Sequence, residues 1–145
     1  MIVRKVEASD IEQLIILMTE FRMFYNQEPY QDELRTFIRN RINNKDSEIF
    51  VAVIDDKLVG YTQLFPSFST INLCKIWILN DLYISATFRR KGIAAYLIET
   101  VFKFSEQNQI KHVWLLTGDD NTKAQELYKK KGFTSTNFKH YVCHI

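Results

Sequence analysis

A short basic turn, Arg89-Arg90-Lys91-Gly92-Ile93-Ala94, stands between an apolar run typical of a strand and an amphipathic run typical of a helix. Three cations followed by a glycine and a small residue leave the backbone N–H groups open to an anion. The start of a helix adds unpaired N–H groups and the positive end of the helix dipole. The turn therefore predicts a site for a phosphate or pyrophosphate group, and hence a phosphate-bearing cofactor.

The elements that position this turn follow from the hydrophobic periodicity. Alternating strands and helices in the second half predict an α/β domain with a mixed sheet. No linker or repeat divides the chain, which predicts one domain over residues 1–145. The predicted elements are strand 2–7, a helix from Ser9 or Asp10, a helix from about Tyr30 to Asn43, a hairpin of strands 48–54 and 58–65 around Asp55-Asp56, a β-rich run 70–84, the helix after the basic turn, strand 111–117, a helix from Asn121 or Thr122 through Lys130 that ends at Gly132, and one or two strands in 133–145.

Composition narrows the class of protein. The 19 basic and 17 acidic residues give a net charge of +2, which is too even for a nucleic-acid or membrane-surface protein. The N-terminus does not continue into a signal sequence, and no apolar run approaches the roughly 20 residues of a membrane span. Two cysteines, Cys74 and Cys143, fit a reduced, cytoplasmic protein. The three histidines lack metal-ligand spacing, so we expect no metal site.

Two segments in the second half resemble one family. Leu82-Tyr83-Ile84 followed by Arg89-x-x-Gly92-x-Ala94 resembles the acetyl-CoA-binding motif of the GNAT N-acetyltransferase superfamily. Asn121-x-x-Ala124-x-x-x-Tyr128-x-x-x-Gly132-Phe133 is similar to the downstream segment of that family. The resemblance covers about residues 58–134. Segments 65–69 and 80–84 look closest to small-amine and polyamine acetyltransferases.

The resemblance implies a single-domain GNAT fold, an α/β domain whose mixed, mostly antiparallel central sheet splays between strands 4 and 5 and is flanked by helices. It implies acetyl-CoA as the cofactor. The amides of residues 89–94 would hold the pyrophosphate, with Arg89, Arg90 or Lys91 adding charge. The other residues that the resemblance assigns to the cofactor are Leu82, Tyr83 and Ile84 along the pantetheine arm, Gly92, Ile93 and Ala94 in the turn, and Asn121, Ala124 and Tyr128 downstream.

Acyl transfer from a thioester to an amine requires a neutral amine, a donor to the carbonyl oxygen and a proton for the leaving thiolate. A backbone N–H on the splayed strand would serve the carbonyl oxygen. Tyr128 stays protonated at neutral pH, since an unperturbed tyrosine has a pKa near ~10. The resemblance makes Tyr128 the expected general acid. Without it, Tyr128 would be interpreted as a packing aromatic on the stripe of its helix.

The general base is open at this stage. Related amine acetyltransferases often have a Glu where this chain has Asn80, and an amide accepts no proton. Asp81 is adjacent, but strand alternation turns neighbouring side chains to opposite faces. Either Asp81 faces the cleft, or a carboxylate such as Glu28 acts through water, or solvent is the base. We expect Asn80 and Asp81 at least to border the substrate.

Tyr25, Glu28, Tyr30 and Asp32 cluster between the first two helices. They form either a polar loop or a lid that recognises a cationic substrate, because acidic and aromatic groups suit an ammonium ion. We expect an N-acetyltransferase of the EC 2.3.1 type that acts on a primary amine, preferably of a small molecule, by direct attack in a ternary complex. A non-catalytic acetyl-CoA sensor and a protein N-terminal or lysine acetyltransferase are the alternatives. Pairing of the C-terminal strands would give a homodimer.

Overall fold

The computed structural model describes all residues from Met1 to Ile145 as an α/β domain. Two short 3₁₀ turns, at Ala8–Asp10 and Ala86–Phe88, precede α1 and α3. The elements are β1 (Ile2–Lys5), α1 (Ile11–Phe24), α2 (Gln31–Asn44), β2 (Glu48–Ile54), β3 (Lys57–Ser69), β4 (Cys74–Ile84), α3 (Ile93–Gln107), β5 (Val113–Leu115) and α4 (Thr122–Lys130).

The five strands form one sheet in the order β1-β2-β3-β4-β5. The first four strands pair antiparallel, and β5 pairs parallel to β4. Asp55 and Asp56 form the tight β2–β3 turn with φ values of 48° and 59°, which suit a two-residue hairpin loop. The mixed, mostly antiparallel sheet predicted from the sequence is confirmed.

Each face of the sheet has its own apolar layer. α1 and α2 cover one face, where Leu14, Met18 and Ile38 pack against Tyr61 and other strand residues. α3 covers the other face with its apolar stripe; the buried residues of that stripe are Ile93, Leu97, Ile98 and Val101. The helical spacing of these side chains explains why both segments fold as helices against the sheet.

The C-terminal segment differs from the sequence prediction. Packing ends at Phe133, whose ring lies 5.7 Å from that of Tyr128 and 5.6 Å from that of Phe102. Residues 134–145 contain no strand and every one of them is exposed, so the prediction of one or two strands in 133–145 is wrong for the single chain. β5 is also shorter than the predicted 111–117. A strand needs a hydrogen-bonded neighbour, and this tail makes no backbone hydrogen bond to any other segment.

Candidate active site

The basic turn exposes a continuous row of backbone donors. None of the six N–H groups from Arg90 to Ala95 donates a hydrogen bond within the chain. Arg90 and Gly92 have φ values of 61° and 78°, and Gly92 caps the N-terminus of α3. Left-handed residues at a helix start turn consecutive N–H groups toward one point, which makes an anion-binding concavity. The geometry fits the predicted pyrophosphate.

The three cations of the turn have different surroundings. The Arg89 side chain turns back toward the sheet: its Nε donates to the Ile84 carbonyl at 3.0 Å. Its guanidinium lies 5.3 Å from the Tyr83 ring centre and 5.8 Å from that of Phe24. Arg90 and Lys91 are exposed and make no ion pair. The charge available to phosphates thus comes from residues 90 and 91.

The sheet splays beside this turn. β5 pairs only with Trp77, Ile78 and Leu79 of β4, whereas β3 pairs with β4 as far as Ile84. Residues 80–84 therefore have a free edge, as predicted for a bound pantetheine arm. Leu82 and Tyr83 lie along this edge, and the Ile84 carbonyl there already accepts from Arg89. Free main-chain groups on an edge can pair with an extended ligand as with an added strand.

A β-bulge sets the position of Asp81. Gln63 pairs with Asp81 and Leu64 with Leu79, so Asn80 is the extra residue of β4. The expectation from the sequence rests on strict alternation of side chains along β4. One extra residue shifts that alternation, so every side chain after Asn80 lies on the opposite face from the one that strict alternation predicts. Asp81 consequently lies on the face covered by α1 and α2. Asn80 Nδ2 donates to Asp81 Oδ1 at 2.8 Å.

The Asp81 carboxylate is held at both oxygens in a poorly solvated place. The buried Tyr61 hydroxyl donates to Oδ2 at 3.3 Å, while Asn80 donates to Oδ1. Burial raises the pKa of Asp81 to about 6, and the hydrogen bonds from Asn80 and Tyr61 oppose this rise. A carboxylate with this pKa is ionised at pH 7 and accepts a proton more readily than a solvated one.

Asp81 borders a cavity of about 420 Å³ between α1, α2 and the sheet. Aromatic rings and carboxylates meet in its wall, together with the Arg22 guanidinium, which lies 5.6 Å from the Tyr30 ring centre. The lining residues are Met18, Phe21, Arg22, Tyr30, Glu33, Leu34, Phe37, Ile38, Tyr61, Gln63 and Asp81.

The residues predicted between the first two helices occupy different positions. Tyr30 lines the cavity, whereas Tyr25 is exposed and touches the wall only through Phe21, with 5.1 Å between the ring centres. Glu28 lies outside the cavity, where its carbonyl accepts from Arg22 Nε at 2.8 Å. Asp32 also lies outside and pairs with Arg35 at 2.7 Å. Only part of this cluster therefore faces the cavity.

Four polar residues of the cavity wall did not emerge from the sequence: Arg22, Glu33, Tyr61 and Gln63. Period-two alternation places Tyr61 and Gln63 on one face of β3. That signal exists in the sequence, but it does not say that this face borders a cavity. Glu33 lies in the first turn of α2, where an acidic residue is ordinary.

The downstream segment forms one face of α4. Asn121, Ala124 and Tyr128 follow one another at helical spacing and are all half-buried. The Asn121 side chain makes no hydrogen bond within the chain, so it is free for a ligand. Burial raises the pKa of Tyr128 to about 12, with a smaller contribution from Tyr25. Tyr128 thus keeps its proton at neutral pH.

None of the helices combines the length and the apolar character that a membrane crossing requires. No group of three or more histidine, cysteine, aspartate or glutamate side chains is arranged to hold a metal ion. Cys74 and Cys143 are both free thiols.

Comparison with known proteins identifies the family. The acetyltransferase (GNAT) family model matches residues 14–133. An uncharacterized N-acetyltransferase, YhfO, of Bacillus subtilis strain 168 is 32% identical over 144 residues, which are 99% of this chain and 97% of that protein. The crystal structure of a probable acetyltransferase, 32% identical, matches 100% of this chain and 98% of its own with a TM-score of 0.92.

A crystal structure of a predicted acetyltransferase with acetyl-CoA, from Clostridium acetobutylicum, shares the fold at 18% identity. It covers 98% of this chain and 95% of its own, with a TM-score of 0.81. The free amides of the basic turn and the open edge of β4 fit the same cofactor. The chain therefore belongs to the acetyltransferase (GNAT) family, as an N-acetyltransferase that uses acetyl-CoA.

Proposed function

We propose that this enzyme acetylates the primary amine of a small molecule that binds in the cavity between α1, α2 and Asp81. The observation that carries the proposal is the position of Asp81, at which the acceptor cavity meets the free edge of β4. An amine seated there lies beside the strand that the resemblance assigns to the acetyl donor. This arrangement supports direct attack in a ternary complex.

Asp81 is proposed as the general base. An alkylammonium, with a pKa near ~10.4, carries a proton at pH 7 and has no free lone pair. Asp81 takes this proton on a carboxylate oxygen, while Asn80 and Tyr61 keep the carboxylate oriented. The bulge thus provides, one position later, the carboxylate that Asn80 itself cannot supply.

Acetyl-CoA supplies an activated acetyl group, so the new N–C bond replaces the C–S bond. Tyr128 is proposed as the proton donor to the departing sulfur, since its raised pKa of about 12 keeps its hydroxyl protonated. Arg90 and Lys91, with the amides of residues 90–95, hold the pyrophosphate. Asn121 and Ala124 border the cofactor on α4, and Leu82 offers main-chain groups on the open edge.

The cavity favours a small cationic acceptor. Its volume of about 420 Å³ lies in the ordinary range of small-ligand sites, roughly 300–1,000 Å³. The two carboxylates of Glu33 and Asp81 outnumber the one cation of the wall, Arg22. Arg22 lies over the Tyr30 ring, and Phe21 supplies a further aromatic ring. This combination suits an ammonium group and is consistent with a polyamine or a similar small amine.

An amine panel with release of free CoA thiol tests the proposal. Small primary amines, including diamines and polyamines, should turn over, with kcat/KM rising with pH through about 6. Replacing Glu33 with Gln should raise KM for a diamine several-fold and leave kcat nearly unchanged. Glu28→Gln is the matched control, because this carboxylate lies outside the cavity. If both variants turn over monoamines and diamines equally well, Glu33 does not contribute to recognition of the amine.

Two alternatives have distinct outcomes in the same assay. Tight acetyl-CoA binding with no turnover of any amine up to pH ~9 would indicate a non-catalytic sensor module. Turnover of peptide N-termini or lysines but of no small amine would indicate a protein acetyltransferase. Calorimetric titration with acetyl-CoA separates both results from a failure to bind the cofactor.

We also propose that the protein is cytoplasmic and acts as a homodimer. The two free thiols support a reducing compartment. The exposed C-terminal segment supports self-association. Fractionation of the native host and sedimentation of the purified chain test these two points.

A further inference from the structure

Arg22, in the last turn of α1, is the one arginine of the first two helices that has no ion pair. The other three, Arg35, Arg39 and Arg41 of α2, all pair with carboxylates. Arg22 makes a single hydrogen bond, in which its Nε donates to the Glu28 carbonyl at 2.8 Å. Its Nη1 and Nη2 groups therefore have no partner within the chain and are free to donate to an anion.

Two contacts hold this guanidinium at the cavity. The Glu28 carbonyl accepts from Nε, and the Tyr30 ring centre lies 5.6 Å from the guanidinium carbon. Arg22 and Tyr30 both line the cavity. Because Nε is occupied, the opposite end of the planar group remains available, and its two nitrogens can bind both oxygens of a carboxylate. The wall thus contains a held cation without a counterion.

Glu33 and Asp81 are the two acidic residues of the same wall. The Glu33 carboxylate makes no hydrogen bond or ion pair, and Asp81 accepts only from the neutral groups of Asn80 and Tyr61. The three charged groups come from three elements, α1, α2 and β4, and none pairs with another. The wall therefore has two negative charges and one positive charge, and a complementary ligand has two positive charges and one negative charge.

We infer that the acceptor is a small diamino acid, that is, a primary amine with a second ammonium group and one carboxylate. The carboxylate binds Arg22, one ammonium lies at Glu33, and the reacting amine lies at Asp81. A diamine without the carboxylate leaves the guanidinium uncompensated beside a second cation, and like charges oppose binding. A phosphate in place of the carboxylate brings additional negative charge toward Glu33 and Asp81. The inference rests on the proposed acetyl transfer and narrows its acceptor to this class.

Two matched pairs of acceptors test the inference on the unmodified enzyme. Cadaverine is lysine without its carboxylate, and putrescine is ornithine without its carboxylate. With saturating acetyl-CoA, kcat/KM should be roughly 10- to 100-fold higher for the amino acid in the pair whose length fits the cavity, the factor that one hydrogen bond between charged groups supplies. A diamine that equals or exceeds its amino acid in both pairs would overturn the inference.

Arg22→Gln removes the charge. It should abolish the preference by raising KM for the amino acid, while kcat/KM for the diamine stays the same or rises. Arg39→Gln is the matched control, because Arg39 is an exposed arginine of α2 outside the cavity. Arg22→Lys keeps the charge without the two paired donors and should retain part of the preference, and the same comparison applies to it if Arg22→Gln does not fold. An unchanged preference in Arg22→Gln, or an equal loss for both acceptors, would leave Arg22 only a structural role and overturn the inference.

Calorimetric titration separates this inference from the proposed reaction. With the enzyme saturated by CoA, which has no acetyl group to transfer, the preferred amino acid should bind more tightly than its diamine, and Arg22→Gln should lose that difference. Turnover of diamines with no preference for either amino acid would support the proposed reaction and overturn the inference. Preferential binding of the amino acid without turnover of any amine would contradict the proposed reaction and support the diamino acid as the ligand of this cavity.

Discussion

The two halves of the proposed active site are built from different parts of the polypeptide. The donor half consists mainly of backbone: the amides of residues 90–95 and the free edge of β4. The acceptor half consists of side chains from α1, α2, β3 and β4 that meet around one cavity. The donor half depends on the local conformation of the backbone. The acceptor half depends on which distant residues the fold brings together. This difference explains why the donor was recognisable from sequence and the acceptor was not.

The largest effect is expected in the acceptor half. Asp81→Asn keeps the shape of the side chain and removes its capacity to accept a proton. We expect kcat/KM to fall about 10²- to 10⁴-fold, the usual contribution of a general base. The acetyl-CoA affinity measured by calorimetry should be unchanged. Glu106→Gln, an exposed carboxylate on α3, is the control. Full activity of Asp81→Asn would place the base elsewhere or in solvent.

The same variant separates chemistry from stability. Burial raises the pKa of Asp81 to about 6, above the ~3.9 of an unfolded chain. The folded state therefore binds this proton more tightly, and its stability falls as the pH rises between about 4 and 6. Asp81→Asn should exceed wild type by about 1–3 kcal/mol at pH 8 and lose this advantage near pH 4. Thermal melts at both values test the sign, and a less stable variant at pH 8 would contradict it.

The next largest effect is expected where the two halves meet. Tyr128→Phe removes one hydroxyl and preserves the ring packing on Phe133. We expect kcat to fall about 10- to 100-fold. This is at or below the lower end of the usual contribution of a general acid, which is roughly 10²- to 10⁴-fold. Binding of acetyl-CoA should change little. Tyr96→Phe, an exposed tyrosine on α3, is the control. Unchanged turnover would show that Tyr128 only packs.

A smaller effect is expected in the donor half. Gly92→Ala strains a left-handed residue, which costs about 1–2 kcal/mol, and no neighbouring atom crowds the new methyl group. We expect acetyl-CoA to bind up to about tenfold more weakly, with kcat at saturation nearly unchanged. Gly132→Ala is a matched control, since Gly132 has a φ of +89° and equally open surroundings. Equal loss of affinity in both variants would indicate general destabilisation.

The smallest effect is expected for Tyr61, which tests whether its hydrogen bond to Asp81 tunes the pKa of that carboxylate. Tyr61→Phe removes one hydrogen bond to the Asp81 carboxylate. Because this bond lowers the pKa of Asp81, its loss should move the rising limb of kcat/KM toward higher pH by less than about one unit. A shift toward lower pH would contradict the assignment of Asp81 to that limb.

Sequence reasoning succeeded where a property is local. Gly92 before a helix, the strand at Leu82–Ile84 and the face of α4 that contains Tyr128 each follow from neighbours within one turn or strand. The mixed pairing of the sheet also followed from the order of elements along the chain. These features require no knowledge of distant contacts.

Sequence reasoning failed where a feature depends on contact between two segments that are distant along the chain. The bulge at Asn80 depends on the register between β3 and β4, which strand alternation alone does not contain. Tyr61 and Glu33 meet in the cavity only because α2 packs over the sheet. The tail has strand-like residues, but a strand also requires a paired neighbour, and the tail makes no backbone hydrogen bond to another segment.

Arg89 belongs to both halves. Its backbone begins the basic turn, while its guanidinium bonds to the Ile84 carbonyl and lies over Phe24 at the end of α1 and Tyr83 on β4. The Arg89 side chain therefore connects the basic turn with the helix that borders the cavity. Binding linkage is reciprocal, so the amine would change the affinity for acetyl-CoA by the same factor as the cofactor changes that for the amine. A coupling through Arg89 would therefore show as one common factor in the two affinities, whichever substrate binds first.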